Sequence, residues 1–436
     1  MYSKLLTFLF SLITLNLYAQ ESPIEVVKEN GKHYKALEFI VKKNTLYTNI
    51  LTNFNASSLT IEAPIQFTLD RSYLILGADE KFQLVKDVEQ SNAVQESAAR
   101  LNNQSSALII AKNTFNNFSF FSGNIEGKVR INLLYAAPLK SSYLKDSKKK
   151  ASKDCSIAPG SIDQTIWRAG LPDPVGNPSP TVVKHVILHH AAGSNSDTNY
   201  TNTVRNYYLL HTQTNGWDDI GYNYLVAPNG TIYNGRDGFQ YGDDNVIGAH
   251  MCARNTNTMG ICLLGNYHNT GVLPSDTAIA SINQLITWKL FKEQLLNPFD
   301  SSLHPVNNPV GYLGVIAGHR EGCNAGYTEC PGEQYFQSID TRVKAAVAVE
   351  LSNCIPLGIN EIKNSEFIIY PNPSQNSNIN LVSKFLIDDI IITDELGRLI
   401  FKIDHVNDYV FQINQLNTGI YFIRINQKYL EKIVVR

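Results

Sequence analysis

A chain of 436 residues exceeds one ordinary domain, and two or three are expected. Its hydrophobic share of 43%, with 10% aromatic residues, is ample for real cores and excludes global disorder. The formal net charge is -2, and no basic helix interleaved with aromatics occurs, so nothing favours nucleic acid as a partner.

At the N-terminus, MYSKLLTFLFSLITLNLYAQESP places Lys4 ahead of an apolar run from Leu5 to about Leu15, with the small Ala19 before a candidate cut. The run is too short to span a bilayer, so residues 1–19 read as a secretory signal peptide. No other segment is long and apolar enough to cross a membrane, and an exported protein without a transmembrane segment is expected. Export permits disulfides, and all six cysteines (Cys155, Cys252, Cys262, Cys323, Cys330 and Cys354) fall between positions 155 and 354. An even count invites three pairs, but connectivity cannot be read from counting. If one cysteine ligates a metal, another must be unpaired.

Residues 21–140 alternate apolar and polar in short runs such as HYKALEFIV, SALIIAKN and KVRINLLYA, bounded by Asn, Ser and Gly. Period-two patterning of this kind predicts a mostly-β domain, and its role stays open. One polar stretch, DVEQSNAVQESAARLNNQ, is a candidate helix. The Lys/Ser run over 141–154 has no hydrophobic period and reads as a solvated linker.

Between Cys155 and Cys354 the texture changes. VVKHVILHH, MGICLLGNY and VIAGH are buried strands, and YNYLVAPNGTIYNGR is a hairpin turning at Asn229-Gly230. NYTNTVRNYYLLHTQT, AIASINQLITWKLFKEQLL and DTRVKAAVAVELSNC are helices. Strands alternating with helices predict an α/β domain around a central sheet. From about residue 366 to 436 short strands return (LIDDIIITDELGRLI, YVFQINQL, GIYFIRI), which predicts a compact β-sandwich.

The chemistry-bearing residues sit at strand ends. The strand HVILHH delivers His189 and His190, and because neighbouring strand residues point to opposite faces, one can enter a cleft while the other packs behind it. VIAGH ends in His319, and Cys330 follows eleven positions later, directly before Pro331-Gly332. Two imidazoles and one thiolate from separate segments are a familiar donor set for a catalytic zinc, which takes three protein ligands and keeps one open position. Cys323 is a competing sulfur, although the Pro-Gly context favours Cys330.

In chain order GWDDIGYNYLV, NGRD, VIGAH, GICLLGNY, AGHRE and TECPG resemble the family of peptidoglycan recognition proteins and phage-lysozyme type N-acetylmuramoyl-L-alanine amidases, over about residues 160–350. The resemblance implies a central mixed sheet flanked by helices, between N-terminal and C-terminal β-sandwich-like domains. It implies Zn2+ held by His189, His319 and Cys330, with His190 packed behind. It places Tyr222, and at the position two before the cysteine Thr328, as catalytic donors. His250, Arg236 and Trp217 match positions on the cleft wall, where substrate contact and structural support are both open. The implied reaction is zinc-dependent hydrolysis of the amide between N-acetylmuramic acid and L-alanine in peptidoglycan, by a protein expected to be monomeric. The rival is a recognition protein that binds muropeptides without cleaving them; non-catalytic members lack the cysteine or a histidine, and this chain keeps all of them.

The spacing from His319 to Cys330 is longer than is common in that family, and Cys323 lies in the extra residues. We expect Cys323 to pair with Cys252, which follows the GAH segment, and Cys155 with Cys354, closing the ends of the zinc amidase domain at 155–354. Cys262 then remains a buried thiol. The tail over 366–436, with YPNP, DELGR, LNTGIYFIRI and a terminal KIVVR, resembles a type IX secretion sorting domain. That resemblance implies engagement of the secretion machinery, passage across an outer membrane, and a cell-surface or released product.

Overall fold

The computed structural model describes residues 24–64, 66, 72–77, 83–84, 103–139, 155–236, 245–252, 254–304, 311–324, 328–354, 367–375, 378–427 and 429–436. The candidate signal peptide, the 141–154 linker and most of the candidate helix at 87–104 lie outside these residues.

The N-terminal domain is built from β1 (Glu25–Asn30), β2 (Tyr34–Val41), β3 (Leu46–Pro64), β4 (Tyr73–Leu76), β5 (Gln83–Leu84), β6 (Asn103–Ser105), β7 (Ile109–Phe121) and β8 (Gly127–Leu134). These form one eight-stranded sheet in the order β1-β2-β8-β3-β7-β4-β5, with β6 on β3. The expected sandwich-like pair of layers is replaced by a single sheet. The 19-residue β3 carries register shifts against β7 at Tyr47/Ile50, Leu51/Ala56 and Ala56/Ser58. Such irregularities bend and twist a strand, so one sheet encloses its own core of Leu37, Phe39, Ile61, Phe118, Phe120 and Ile131. Alternation in sequence marks a buried face but does not say what covers it.

The second domain runs through α1 (Gln164–Trp167), β9 (Pro180–Thr181), β10 (His185–His190), α2 (Tyr200–Leu209), β11 (Tyr224–Val226), β12 (Ile232–Asn234), β13 (Asn245–Val246) and β14 (Thr258–Leu263). It closes with α3 (Asp276–Lys292), β15 (Ser301–Leu303), β16 (Tyr312–Gly314), β17 (Ile316–Gly318), α4 (Glu333–Gln337) and α5 (Ala345–Cys354). The central sheet has the order β12-β11-β14-β10-β17. Its β11, β14, β10 and β17 pair in parallel, while β12 returns antiparallel through the Asn229-Gly230 turn, where Gly230 adopts a φ of 82°. The sheet is therefore mixed.

Alternation along β10 explains the layering. Val186 and Leu188 face a core shared with Ile279, Ile282 and Ile286 of α3 and Val347 and Leu351 of α5. Ser275 caps α3 by accepting from the Ala278 amide; Asp276 opens the helix and Lys289 and Lys292 close it, in line with its dipole. Ile187 and His189 point the other way. There Leu225 and Cys262 join Val204, Tyr208 and Leu209 of α2 in a core that also takes in Tyr34, Ala36, Leu108, Leu134 and Ala136 of the N-terminal sheet. Polar pins lock this seam: Ser57 and Ser58 donate to Asn206 Oδ1 at 2.8 and 2.7 Å. Buried Arg205 donates to the carbonyls of Trp167, Ala169 and Ala137.

The C-terminal domain comprises β18 (Phe367–Tyr370), β19 (Ile379–Asp394), β20 (Leu399–Ile413), β21 (Gly419–Ile425) and β22 (Tyr429–Val435). It too is one sheet, in the order β18-β19-β21-β22 with β20 on β19, curled as a half-barrel around Ile379, Leu381, Ile390, Ile392, Ile423 and Ile433. Among the described residues no helix is long and apolar enough to cross a membrane.

Candidate metal centre

Parallel pairing of β10 with β17 sets Leu188 opposite Gly318, so the next residue on each strand is a histidine. The rings of His189 and His319 lie 4.4 Å apart, centroid to centroid. Past His319 the chain turns through a short 3₁₀ segment, His319–Gly322, steadied by the Gly318 amide donating to Glu321 Oε2 at 2.6 Å. It then returns so that the Arg320 amide donates to the Cys330 carbonyl at 3.0 Å. The hairpin-like return carries Cys330 Sγ to 3.6 Å from His189 Nδ1 and to 3.4 Å from the His190 amide. The donor atoms of His189, His319 and Cys330 all fall within 4.8 Å of one another, and all three side chains are buried.

Hydrogen bonds fix the tautomers behind these donors. The Thr258 hydroxyl donates to the Asn255 carbonyl at 2.7 Å, so at 3.2 Å from His250 Nε2 its oxygen accepts. His250 therefore carries its proton on Nε2 and accepts at Nδ1 from His189 Nε2, 3.0 Å away. That leaves the Nδ1 lone pair of His189 facing Cys330. Metal-ligating histidines are held in this way, with the far ring nitrogen donating to a fixed partner. On His319 the far nitrogen, Nε2, lies 3.6 Å from Cys252 Sγ, while buried Nδ1 has no hydrogen-bond partner.

Burial lowers the pKa of all three imidazoles. His189 is pushed well below its ordinary value by burial and then by His319, His250 and His190. His319 falls to about 3 through burial and then His190, and His250 to about 3 through burial, then His319 and Arg236. Neutral imidazoles are what a metal requires. The donor set also passes a geometric test: Zn–S and Zn–N bonds in a tetrahedral site put sulfur and nitrogen about 3.5 Å apart. The observed sulfur-to-nitrogen distance is 3.6 Å.

The other residues singled out from sequence surround this trio. Tyr222 is buried with its ring 5.2 Å from that of His189 and its hydroxyl against the Cys262 thiol. Burial, and then the nearby Cys262 and Cys330, raise its pKa well above the ordinary value, so it stays a protonated donor. Thr328 Oγ1 accepts from the Cys330 amide at 3.0 Å and braces the ligand's backbone. His250 stands behind His189 rather than on an open wall. Arg236 donates from Nε to the Ile220 carbonyl and from Nη2 to that of Asp219, stiffening the turn before Tyr222. It also lines a cavity of about 480 Å³ with Gln164, Asp219 and Gly248, whose lining contains none of the metal trio. Half-buried Trp217 packs on His211 with ring centroids 4.7 Å apart.

Two residues of the site escaped the sequence reading. Thr258 looks like the first residue of a buried strand, and only its pairing with His185 across β14 and β10 hints at its place. His211 receives the Gly221 amide on Nδ1 at 3.0 Å and lies 5.7 Å from the Tyr222 ring, fixing that tyrosine from behind. His190 accepts the Tyr267 amide at Nδ1, on the opposite face of β10 from His189.

Disulfides join Cys252 to Cys323 and Cys155 to Cys354, while Cys262 and Cys330 stand outside any disulfide.

Residues 178–333 match the family model for N-acetylmuramoyl-L-alanine amidase, and residues 368–436 match that of a secretion system C-terminal sorting domain. Peptidoglycan-recognition protein SC2 of Drosophila simulans is 32% identical over 161 residues, covering 36% of this chain and 73% of that protein. An N-acetylmuramoyl-L-alanine amidase of Sus scrofa is 31% identical over 138 residues, which cover 32% of this chain and 19% of the porcine protein. Among solved structures, wild-type Drosophila PGRP-LB is 27% identical, with 41% of this chain and 91% of that one covered and a TM-score of 0.31. The span 178–333 contains the strand ends that carry His189 and His319 and the turn that carries Cys330. The chain belongs to the N-acetylmuramoyl-L-alanine amidase and peptidoglycan-recognition family, and it ends in a secretion-system sorting domain.

Proposed function

We propose that the protein is a zinc-dependent amidase that hydrolyses the bond between N-acetylmuramic acid and L-alanine in peptidoglycan. One observation carries this reading: His189 Nδ1, His319 and Cys330 Sγ converge within 4.8 Å, and the His250–Thr258 chain holds His189 in the ligating tautomer. When bound, zinc supplies Lewis acidity toward a carbonyl oxygen and an activated water near neutral pH. The chain's own groups do the rest. Tyr222 keeps its phenolic proton and offers it as a hydrogen bond where negative charge develops on the scissile amide. His211 and the Arg236-braced turn hold Tyr222 in place, and Thr328 keeps the Cys330 backbone from relaxing away from the histidines. The buried setting strengthens each of these polar contacts relative to water.

A second reading, capture of muropeptides without cleavage, draws on the recognition protein among the relatives and on the complete burial of His189, His319 and Cys330. One experiment separates them. Purified peptidoglycan is incubated with the protein and zinc, with and without a chelator, and new L-alanine N-termini are counted. Their zinc-dependent release is expected, and Cys330→Ser abolishes it. Retention of peptidoglycan without release would replace the amidase reading by the binding one. The sorting domain, together with the signal peptide read at 1–19, supports action at or beyond the cell surface.

A further inference from the structure

A cavity of about 400 Å³ opens on the seam between the N-terminal sheet and the amidase domain, outside the metal trio. Its first wall is Leu108 and the start of β7, with Ile110 and Lys112. The facing wall is the loop that leaves β10 after His190, with the first turns of α2. The wall from the N-terminal sheet is fixed, because Ile110 pairs with Ser58, whose hydroxyl is bonded to Asn206 of α2. The loop is preformed as well. Asp197 accepts from the Asn199 amide and the Thr203 hydroxyl, Asn195 holds both the amide and the carbonyl of Asn266, and Ser194 bonds Ser196. A site built on set geometry avoids the ordering cost of assembling it around a ligand.

The lining chemistry identifies the ligand class. Neutral hydroxyl and amide groups dominate the loop side, and Lys112 and Asp197 offset each other in charge. Tyr200 and Tyr207 give flat apolar faces with polar edges. Asn202 contributes a carboxamide to the wall, and its Oδ1, buried from solvent, has no hydrogen-bond partner, so the group is not committed to the protein. A stem peptide rich in carboxylates would ask for a surplus of cations, which this lining lacks. A neutral saccharide bearing hydroxyls and acetamides matches donors, acceptors and apolar faces together. Position agrees. Leu264 and Gly265 line the cavity two and three residues beyond Cys262, which pairs with His189, so it begins about 7–10 Å further along the strands from the metal trio.

We propose that the N-terminal sheet and the loop after β10 together form a subsite for the N-acetylhexosamine backbone of a glycan strand. The N-terminal domain thereby acts as one wall of the substrate cleft. This assignment rests on the amidase reading for its biological setting, but its test does not depend on hydrolysis.

A soluble β-1,4-linked N-acetylglucosamine tetramer is titrated into the full chain by calorimetry with a chelator present. Saturable binding is expected, weakened about tenfold by Asn202→Leu, the scale of one lost hydrogen bond with its packing. Ile110→Arg, which fills the cavity from the opposite wall, lowers it at least as far. Asn202→Leu removes an unpartnered oxygen, so its unfolding midpoint is expected to match that of the parent and it decides the matter if Ile110→Arg fails to fold. No binding of the tetramer, binding untouched by Asn202→Leu, or displacement by a free stem peptide would each overturn the assignment. Release of L-alanine N-termini without tetramer binding sinks only this subsite. Tetramer binding without release sinks only the amidase reading.

Discussion

The hydrogen-bonded chain behind His189 makes a demanding prediction at Thr258, a residue that bonds none of the three proposed ligands and reaches His189 only through His250. Thr258→Val keeps the shape of a fully buried side chain and removes the oxygen that accepts from His250 Nε2. Two outcomes are open to the imidazole. It can keep its proton on Nε2 and leave a buried donor unpaired, at about 1–3 kcal/mol of stability. Or it can move the proton to Nδ1, which then donates to His189 Nε2 and forces the His189 proton onto Nδ1, the atom that faces Cys330. The second outcome sets the wrong tautomer for ligation. Removing such supporting partners lowers metal affinity by about 10–100-fold, or about 1.4–2.8 kcal/mol.

The assay is competition for zinc against a chromophoric chelator at neutral pH, with the ring nitrogens of His189 followed by nitrogen-15 chemical shifts. A loss of affinity in that range with an altered His189 tautomer is expected, and Thr258→Ser, which restores the hydroxyl, recovers most of it. Unchanged zinc affinity in Thr258→Val would show that the His250 contact does not govern His189, and the tautomer argument would fall.

Other consequences are testable on the same protein. The Cys252–Cys323 bridge spans 71 residues, and closing such a loop in the unfolded chain is worth about 4 kcal/mol on the chain-entropy account. The double variant Cys252→Ser/Cys323→Ser should lose up to that amount in denaturant unfolding while still binding zinc, since Cys330 is untouched; loss of zinc binding with full stability would reverse the assignment of the sulfurs. Burial raises the Asp219 carboxyl from 3.8 to about 6. Because the folded value lies above the unfolded one, the folded state holds this proton longer. The associated stability is complete below about pH 4 and lost as pH rises through about 6, about 3 kcal/mol in all. Asp219→Asn should flatten that part of the stability–pH curve, and an unchanged slope would refute it. Arg205→Met deprives three carbonyls of their donor and should cost about 3–5 kcal/mol. Calorimetry should then show the N-terminal sheet melting separately; a single unshifted transition would contradict the seam described here.

The strand ends were legible because two signals coincide there. An apolar run fixes the strand, and a histidine at its end, with its neighbours' faces set by alternation, fixes which ring enters the site. His189, His190 and His319 all follow that logic. Cys330 was legible from its Pro-Gly turn and from the family motif. What stayed hidden is polar and tertiary. The sequence marks NYTNTVRNYYLLHTQT as a helix but not that its polar Arg205, Asn206 and His211 are each buried. Nothing local to a helix tells whether water or another domain satisfies its polar side. The flanking sheets were misjudged for a related reason: period two reports one covered face, and the bulges that let β3 curl over its own core leave no clear mark in sequence.

The helix α2 and its π-helical extension, Leu210–Thr214, connect these observations. Asn206 and His211 are five positions apart, hence about 140° apart around a helix, on different sides. One side is pinned to Ser57 and Ser58 of the N-terminal sheet, and the other receives the Gly221 amide and packs beside Tyr222. One short element therefore touches both the N-terminal sheet and the surroundings of Tyr222, in a packing where side chains have little room to absorb displacement. The same sheet lines the cavity next to the loop that follows His190. A domain that served only as a spacer would need neither contact. Its buried polar pins and its share of the core around Tyr208 and Leu209 tie it instead directly to α2.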